Sequence, residues 1–124
     1  MSERLYHEEH TWVDMEGDEV TIGITDYAQN EMGDIIYVEL PEVGSTITEG
    51  QPFVTIESAK AVQDVIAPLS GEVVSVNDDL LDAPEIINEE PYGGGWLVTV
   101  APAADFEPDQ LMDEDQYDQF VSEQ

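Results

Sequence analysis

Short runs of β-branched residues, each broken off by glycine or proline, dominate this chain and restrict it to a fold of many short strands. His10-Thr11-Trp12-Val13-Asp14-Met15 leads into the turn Glu16-Gly17-Asp18, and Val20, Ile22 and Ile24 then alternate with Thr21 and Gly23. That pattern predicts a hairpin with one buried face. Thr25 is placed to cap a short helix through Tyr27-Ala28-Gln29-Asn30, with Asp26 near its positive end and Gly33 as its stop. A strand over residues 35–40 ends at Pro41. Residues 53–57 pair with 61–66 across a tight turn at Ser58-Ala59-Lys60, Pro68 and Gly71 mark the next corner, and residues 72–76 form another strand.

Beyond that corner the signals change. Residues 77–95 read as loop, with Pro84, Pro91 and the run Gly93-Gly94-Gly95, and residues 96–100 form the last strand. Pro108 suits the first turn of a short helix ending near Met112. Asp113 with Gln116 resembles a capping box, after which Tyr117, Phe120 and Val121 share one helix face. The fold class is mainly β, a flattened barrel or sandwich of two antiparallel sheets with a short internal helix and C-terminal helices. Residues 1–124 make a single domain, with its β core at about 10–101 and its helical segment at about 106–122. The passages Pro41-Glu42-Val43-Gly44 and Ala67-Pro68-Leu69-Ser70-Gly71-Glu72 resemble each other and hint at two related halves.

Charge excludes several functions. Thirty Asp and Glu against two basic residues give −28. The acid is spread through the β-branched runs, as an acidic skin on a folded domain would be. Nucleic acid and anionic membranes, both polyanions, are repelled by it. Self-repulsion weakens the compact state at low salt, so the expected setting is a salty, halophilic cytoplasm. Cysteine is absent, which removes disulfides, thiolate metal sites and a cysteine nucleophile. No run approaches about 18 apolar residues, and Met1-Ser2-Glu3-Arg4 has neither a signal-peptide nor a transit-peptide pattern.

Against that background Lys60 stands out as the one lysine of the chain. Placed at a hairpin tip between Ala59 and Ala61, its amine is presented to other proteins while the sheet fixes its position. Glu57 and Asp64 favour its charged form, the opposite of what a Schiff-base lysine needs. An exposed ion pair with Glu57 or Asp64 is the plain alternative. His7 and His10 with Glu8 and Glu9 have a His-x-x-His spacing, but at the entry to a strand the two histidines point apart, so no metal site is expected. Pro91-Tyr92-Gly93-Gly94-Gly95-Trp96 opens a strand and lacks a phosphate-loop lysine, so it reads as a loop that lets Trp96 dock. Asp113-Glu114-Asp115 is a solvated run suited to a helix N-terminus.

Glu57-Ser58-Ala59-Lys60-Ala61, followed by Asp64-Val65 and Ala67-Pro68-Leu69-Ser70-Gly71-Glu72-Val73, resembles the lipoyl-attachment region of the glycine cleavage system H protein family. Upstream, Gly23-Ile24-Thr25-Asp26-Tyr27-Ala28-Gln29, Gly33-Asp34-Ile35 and Glu39-Leu40-Pro41-Glu42-Val43-Gly44 continue the resemblance. Downstream it extends through Val76-Asn77-Asp78, Asn88-Glu89-Glu90-Pro91-Tyr92 and Gly95-Trp96. Biotin carriers place methionine on both sides of the lysine, unlike Ala59 and Ala61. Lipoyl domains of 2-oxoacid dehydrogenases are shorter and read Glu-Thr-Asp-Lys-Ala. Two departures are visible: Ala59 replaces the family's usual valine, and Thr11 stands where relatives often have glutamate, so no acidic role is carried over there.

The resemblance implies a hybrid fold of the lipoyl and biotinyl carrier type and a carrier protein that is not itself an enzyme. Lipoate joins Lys60 as an amide, which removes one positive charge and takes −28 to −29. Glu57, Ser58, Ala59, Ala61 and Asp64 form the attachment context. The implied partners are a pyridoxal-phosphate glycine decarboxylase, a tetrahydrofolate-dependent aminomethyltransferase, a flavin (FAD) dihydrolipoyl dehydrogenase and a lipoate-attaching enzyme. The carrier, a cytoplasmic monomer, shuttles the aminomethyl group of glycine from decarboxylase to transferase. A groove near the first strand and the strand after Lys60 is expected to shelter the loaded arm, with Asp64 attracting its amine. Two alternatives stay open: an H-like protein that relays lipoyl groups, and an acidic β module with unmodified Lys60 that binds a partner or cations.

Overall fold

The alternation of β-branched residues becomes two antiparallel sheets. The structure, a computed structural model, describes residues 3–7, 10–16, 18–103 and 111–122. In chain order the strands are β1 (Glu3–Tyr6), β2 (Thr11–Glu16), β3 (Glu19–Ile24), β4 (Ile35–Glu39), β5 (Thr46–Ile47), β6 (Pro52–Ser58), β7 (Val62–Ile66), β8 (Gly71–Val76) and β9 (Val98–Pro102). The helices are α1 (Asp26–Met32), α2 (Asp79–Asp82), α3 (Ile86–Glu89) and α4 (Glu114–Ser122). A six-stranded sheet runs β1-β2-β3-β9-β8-β5 and a three-stranded sheet runs β4-β6-β7.

The predicted first hairpin is present, with Val13 opposite Ile22 and Trp12 opposite Gly23. A Cβ at Gly23 would lie 2.6 Å from the Trp12 ring, so the glycine is what lets the indole lie down on its partner strand. Val13, Ile22, Val98 and Val100 from the larger sheet share one buried cluster with Val38, Val54, Ile56 and Val65 from the smaller. Burying a side chain of this size is worth roughly 1.5–3 kcal/mol, so this shared cluster rather than hairpin hydrogen bonding joins the two layers.

Helix α1 follows its expected caps. Thr25 Oγ1 accepts from the Ala28 N–H at 3.2 Å, Asp26 lies in the first turn, and the Gly33 N–H closes on Gln29 O at 3.0 Å. Asp113 and Gln116 form the reciprocal capping box: Gln116 N–H donates to Asp113 Oδ1 at 2.8 Å and Asp113 N–H to Gln116 Oε1 at 3.0 Å. The strand that follows the first of the two resembling passages pairs with the end of the second, Ile47 opposite Gly71 and Thr46 opposite Glu72.

Other expectations are corrected. The β core begins before residue 10, because β1 pairs with β2 from Glu3↔Met15 to Tyr6↔Trp12. Leu5 and Tyr6 are both buried, one on each face, so β1 has no alternation to betray it. Residues 77–95 are not all loop: α2 and α3 are single turns pinned by the fully buried Leu80 and Ile87. One turn is too short to show helical periodicity. The last strand is displaced to Val98–Pro102, although Leu97 N–H already bonds Ile22 O at 2.8 Å. The helix expected from Pro108 lies outside the described residues, and Met112, its expected end, forms a β-bridge with Tyr6.

Candidate functional site

Lys60 occupies the exposed turn between β6 and β7, and one serine organises that turn. The Ser58 N–H bonds Ala61 O at 2.8 Å, and Ser58 Oγ lies 3.2 Å from Ala61 N and 3.3 Å from Lys60 N. A short hydroxyl can satisfy the amides of so tight a turn, as few other side chains can. The Ala59 N–H reaches across to Asp34 O at 2.9 Å, tying the tip to the start of β4. Ala59, Lys60 and Ala61 are exposed, as the sequence suggested, but the end of the Lys60 stem lies against Gly33 rather than standing clear.

The other residues named from sequence lie on the flanking strands. Glu57 stands between Tyr37 and Val62 in one cross-strand row. Asp64 stands opposite Thr55, whose hydroxyl donates to Asp64 Oδ1 at 3.0 Å. Ile36, Tyr37 and Val62 are 60%, 48% and 63% exposed, an apolar surface around Glu57 next to the lysine.

A groove runs between α1 and β7, walled by His10, Tyr27, Glu31, Met32, Asp64 and Val65. It holds about 60 Å³ of free space, which admits a few water-sized groups at about 10–15 Å³ each. The groove lies beside β7 and includes Asp64, but its facing wall is α1 where the first strand was expected. Thr11 is fully buried and does not line it.

His10 is fixed by residues far along the chain. Its backbone has φ 68°, a left-handed conformation uncommon outside glycine. Its Nδ1 lies 2.8 Å from the Tyr117 hydroxyl, which lies 2.7 Å from Thr25 Oγ1. The Tyr117 hydroxyl thus bridges His10 and Thr25, and Thr25 in turn accepts the Ala28 N–H. Burial pushes the Tyr117 hydroxyl up to about 12, with the Thr25 hydrogen bond opposing in part. Thus α4 sets one wall of the groove. Glu8 and Glu9, considered with His7 and His10 as metal ligands, lie outside the described residues.

A second basic residue closes an aromatic corner. The Arg4 guanidinium sits 4.7 Å from the Tyr92 ring centre and 5.3 Å from that of Trp12. Arg4 Nη2 donates to Tyr92 O at 3.3 Å, and Trp12 Nε1 donates to Pro91 O at 2.8 Å. The segment 91–96 therefore holds the Trp12 indole through Pro91 O. Sequence reading missed this corner, the Tyr117 link and the contact with Gly33. The residues were in view, but nothing local signals pairings between positions so far apart.

The glycine cleavage H-protein family model matches residues 4–124. A glycine cleavage system H protein of Geobacillus sp. (strain WCH70) is 52% identical over 121 residues, covering 98% of this chain and 95% of the relative. One from Halalkalibacterium halodurans is 49% identical over 123 residues, covering 99% and 96%. Among solved structures, a glycine cleavage system H protein from Mycobacterium marinum superposes with a TM-score of 0.88 at 40% identity, covering 97% of each chain. Sequence, fold and the exposed lysine turn agree: the chain belongs to the glycine cleavage H-protein family.

Proposed function

We propose that this member of the family carries lipoate in amide linkage on Lys60 and acts as a single carrier domain over residues 1–124, without a catalytic centre of its own. The observation that carries this reading is the placement of the one lysine of the chain, exposed at a turn whose backbone is tied by Ser58 and Asp34. The residues fit a covalent arm: the amine is open to an attaching enzyme, and the flanking Ala59 and Ala61 obstruct nothing. Glu57 and Asp64 complete the surroundings. The lipoyl dithiolane supplies the redox-active disulfide that takes up the aminomethyl unit of glycine.

The chain's own residues supply position and shelter. The β6–β7 turn holds the point of attachment. The carboxylates of Asp64 and Glu31 at the groove attract a protonated amine, while Met32 and Val65 keep water from it. Exposed Ile36, Tyr37 and Val62 beside Lys60 offer apolar contact to each enzyme that must reach the arm. Those enzymes are the pyridoxal-phosphate decarboxylase, the tetrahydrofolate aminomethyltransferase, the FAD-dependent dihydrolipoyl dehydrogenase and the lipoate-attaching enzyme.

The carrier works as a monomer in a salty cytoplasm, away from nucleic acid and membranes, on the strength of its −28 charge. Among the described residues no helix is long and apolar enough to cross a membrane.

Intact mass of material from its native host tests the attachment: a lipoyl increment is expected, and the bare polypeptide mass would sink the reading. Reconstitution with the glycine decarboxylase and aminomethyltransferase separates a carrier from a lipoyl relay. Asp64→Ala is expected to speed loss of the loaded group to water, and unchanged release would remove Asp64 from the shelter. Unfolding midpoints that do not fall in dilute buffer would count against the salt requirement.

A further inference from the structure

Position 33 does more than stop a helix. A Cβ built on Gly33 would sit 3.0 Å from Lys60 Cε, 3.7 Å from Nζ and 3.8 Å from Cδ. The residue has φ 78° and ψ −155°, a combination that L side chains avoid. It is held there from several directions. Asn88 Nδ2 donates to Gly33 O and to Gln29 Oε1, and Asn88 Oδ1 accepts the Ile35 N–H, each at 2.9 Å. One residue on, Asp34 O accepts the Ala59 N–H of the lysine turn. The α1–β4 junction and the lysine turn are thereby locked together, and the Gly33 backbone is the surface on which the stem rests. Met32, its chain neighbour, is already a wall of the groove.

We propose that Gly33 is a positioning residue for the arm: the hydrogen it carries in place of a side chain leaves a notch through which the Lys60 stem passes from the hairpin tip toward the groove between α1 and β7. The inference rests on the reading of Lys60 as the attachment point, since only an extended arm needs a track. The contact itself belongs to the unmodified chain. A helix stop would account for the positive φ alone. It would not account for a lysine stem lying in tight contact with the place a Cβ would take.

Stereochemistry at position 33 separates the two roles. L-alanine sets a methyl 3.0 Å from Lys60 Cε, so the stem must move off by a few tenths of an ångström. D-alanine favours the mirror image of the usual extended backbone, which suits φ 78° and ψ −155°, and points its methyl to the other side. Either D-alanine or glycine satisfies a helix stop. The full chain, prepared by chemical synthesis as the native sequence, Gly33→Ala and Gly33→D-Ala, is examined unmodified by NMR. A cross-peak between Lys60 Hε and residue 33 Hα is expected in the native and D-alanine chains and lost in the L-alanine chain, with the amide shifts of β3 and β9 unchanged.

After lipoylation and loading, release of ammonium to water is expected to quicken in the L-alanine chain alone. A native chain without the cross-peak, or L- and D-alanine chains that behave alike, overturns the proposal. Should the L-alanine chain not fold, the D-alanine chain decides, and loss of its cross-peak is fatal. A host protein lacking the lipoyl mass would instead sink the carrier reading and leave the cross-peak result standing.

Discussion

Two cations serve a chain with 30 carboxylates, and their surroundings are opposite in kind. Arg4 lies against the faces of Trp12 and Tyr92, and its guanidinium bonds the Tyr92 carbonyl. Around it side chains are buried so that a terminal strand and a glycine-rich segment stay in place. At Lys60 the backbone is what is fixed, by Ser58 and Asp34, and the side chain is exposed with its stem against Gly33. The planar guanidinium suits stacking and the compact amine suits acylation, so the two are not exchangeable. An acidic chain keeps one cation stacked on aromatic rings and one on an exposed turn, where the proposed function needs an acylable amine.

The largest effect should come from exchanging the exposed cation. Lys60→Arg keeps charge and exposure but offers no acylable amine, so intact mass should show no lipoyl increment and glycine cleavage in the reconstituted system should cease, with the unfolding midpoint unchanged. An Arg4→Lys, Lys60→Arg double variant should also remain unlipoylated, because a lysine in the aromatic corner is not presented on a turn. Lipoylation at position 4 would break the contrast. Next in size is Trp12→Ala. Removing an indole that is 2% exposed and bonded to Pro91 O should cost about 3–5 kcal/mol in denaturant unfolding. Where the variant still folds, Lys60 should be acylated at the native rate. A slowed rate would show that the two regions are coupled.

How each region could be foreseen follows from the range of its contacts. The lysine turn is local: Ser58 bonds residues two and three positions on, and β6 and β7 adjoin in sequence. The hairpins and α1, with its Thr25 and Gly33 caps, were legible for the same reason. The aromatic corner joins Arg4 to Tyr92 and His10 to Tyr117, pairings that no window of sequence contains. Strand β1 was hidden because Leu5 and Tyr6 are buried on opposite faces, and α2 and α3 because a single turn has no period. The groove fell between these cases. Asp64 was named in advance, but α1 as the facing wall depends on how the two sheets pack.

Arg4→Ala should cost about 1–2 kcal/mol, the value of a cation stacked on partly desolvated aromatic rings. Arg4→Lys should recover only part of it, since an ammonium cannot stack as a plane. Full recovery by lysine would reduce Arg4 to a point charge and blunt its contrast with Lys60. Urea unfolding at fixed salt measures both.

Tyr117→Phe should have the smallest effect at neutral pH, about 1 kcal/mol for hydrogen bonds lost by Thr25 and His10. Its signature is in alkali. Below pH 10 the phenol is protonated in both folded and unfolded chains and contributes no pH dependence. Between about 10 and 12 the unfolded chain releases a proton that burial makes the folded chain keep, so stability falls as pH rises. Past the folded value the loss levels off, having reached on the order of 2 kcal/mol. Phenylalanine removes that contribution. Tyr6 and Tyr92, also pushed up by burial, keep the slope from vanishing. The variant should therefore lose less stability than the native chain between pH 10 and 12. An identical alkaline slope would mean that Tyr117 is not buried as placed, and with it would go the hold that α4 has on His10 at the edge of the groove.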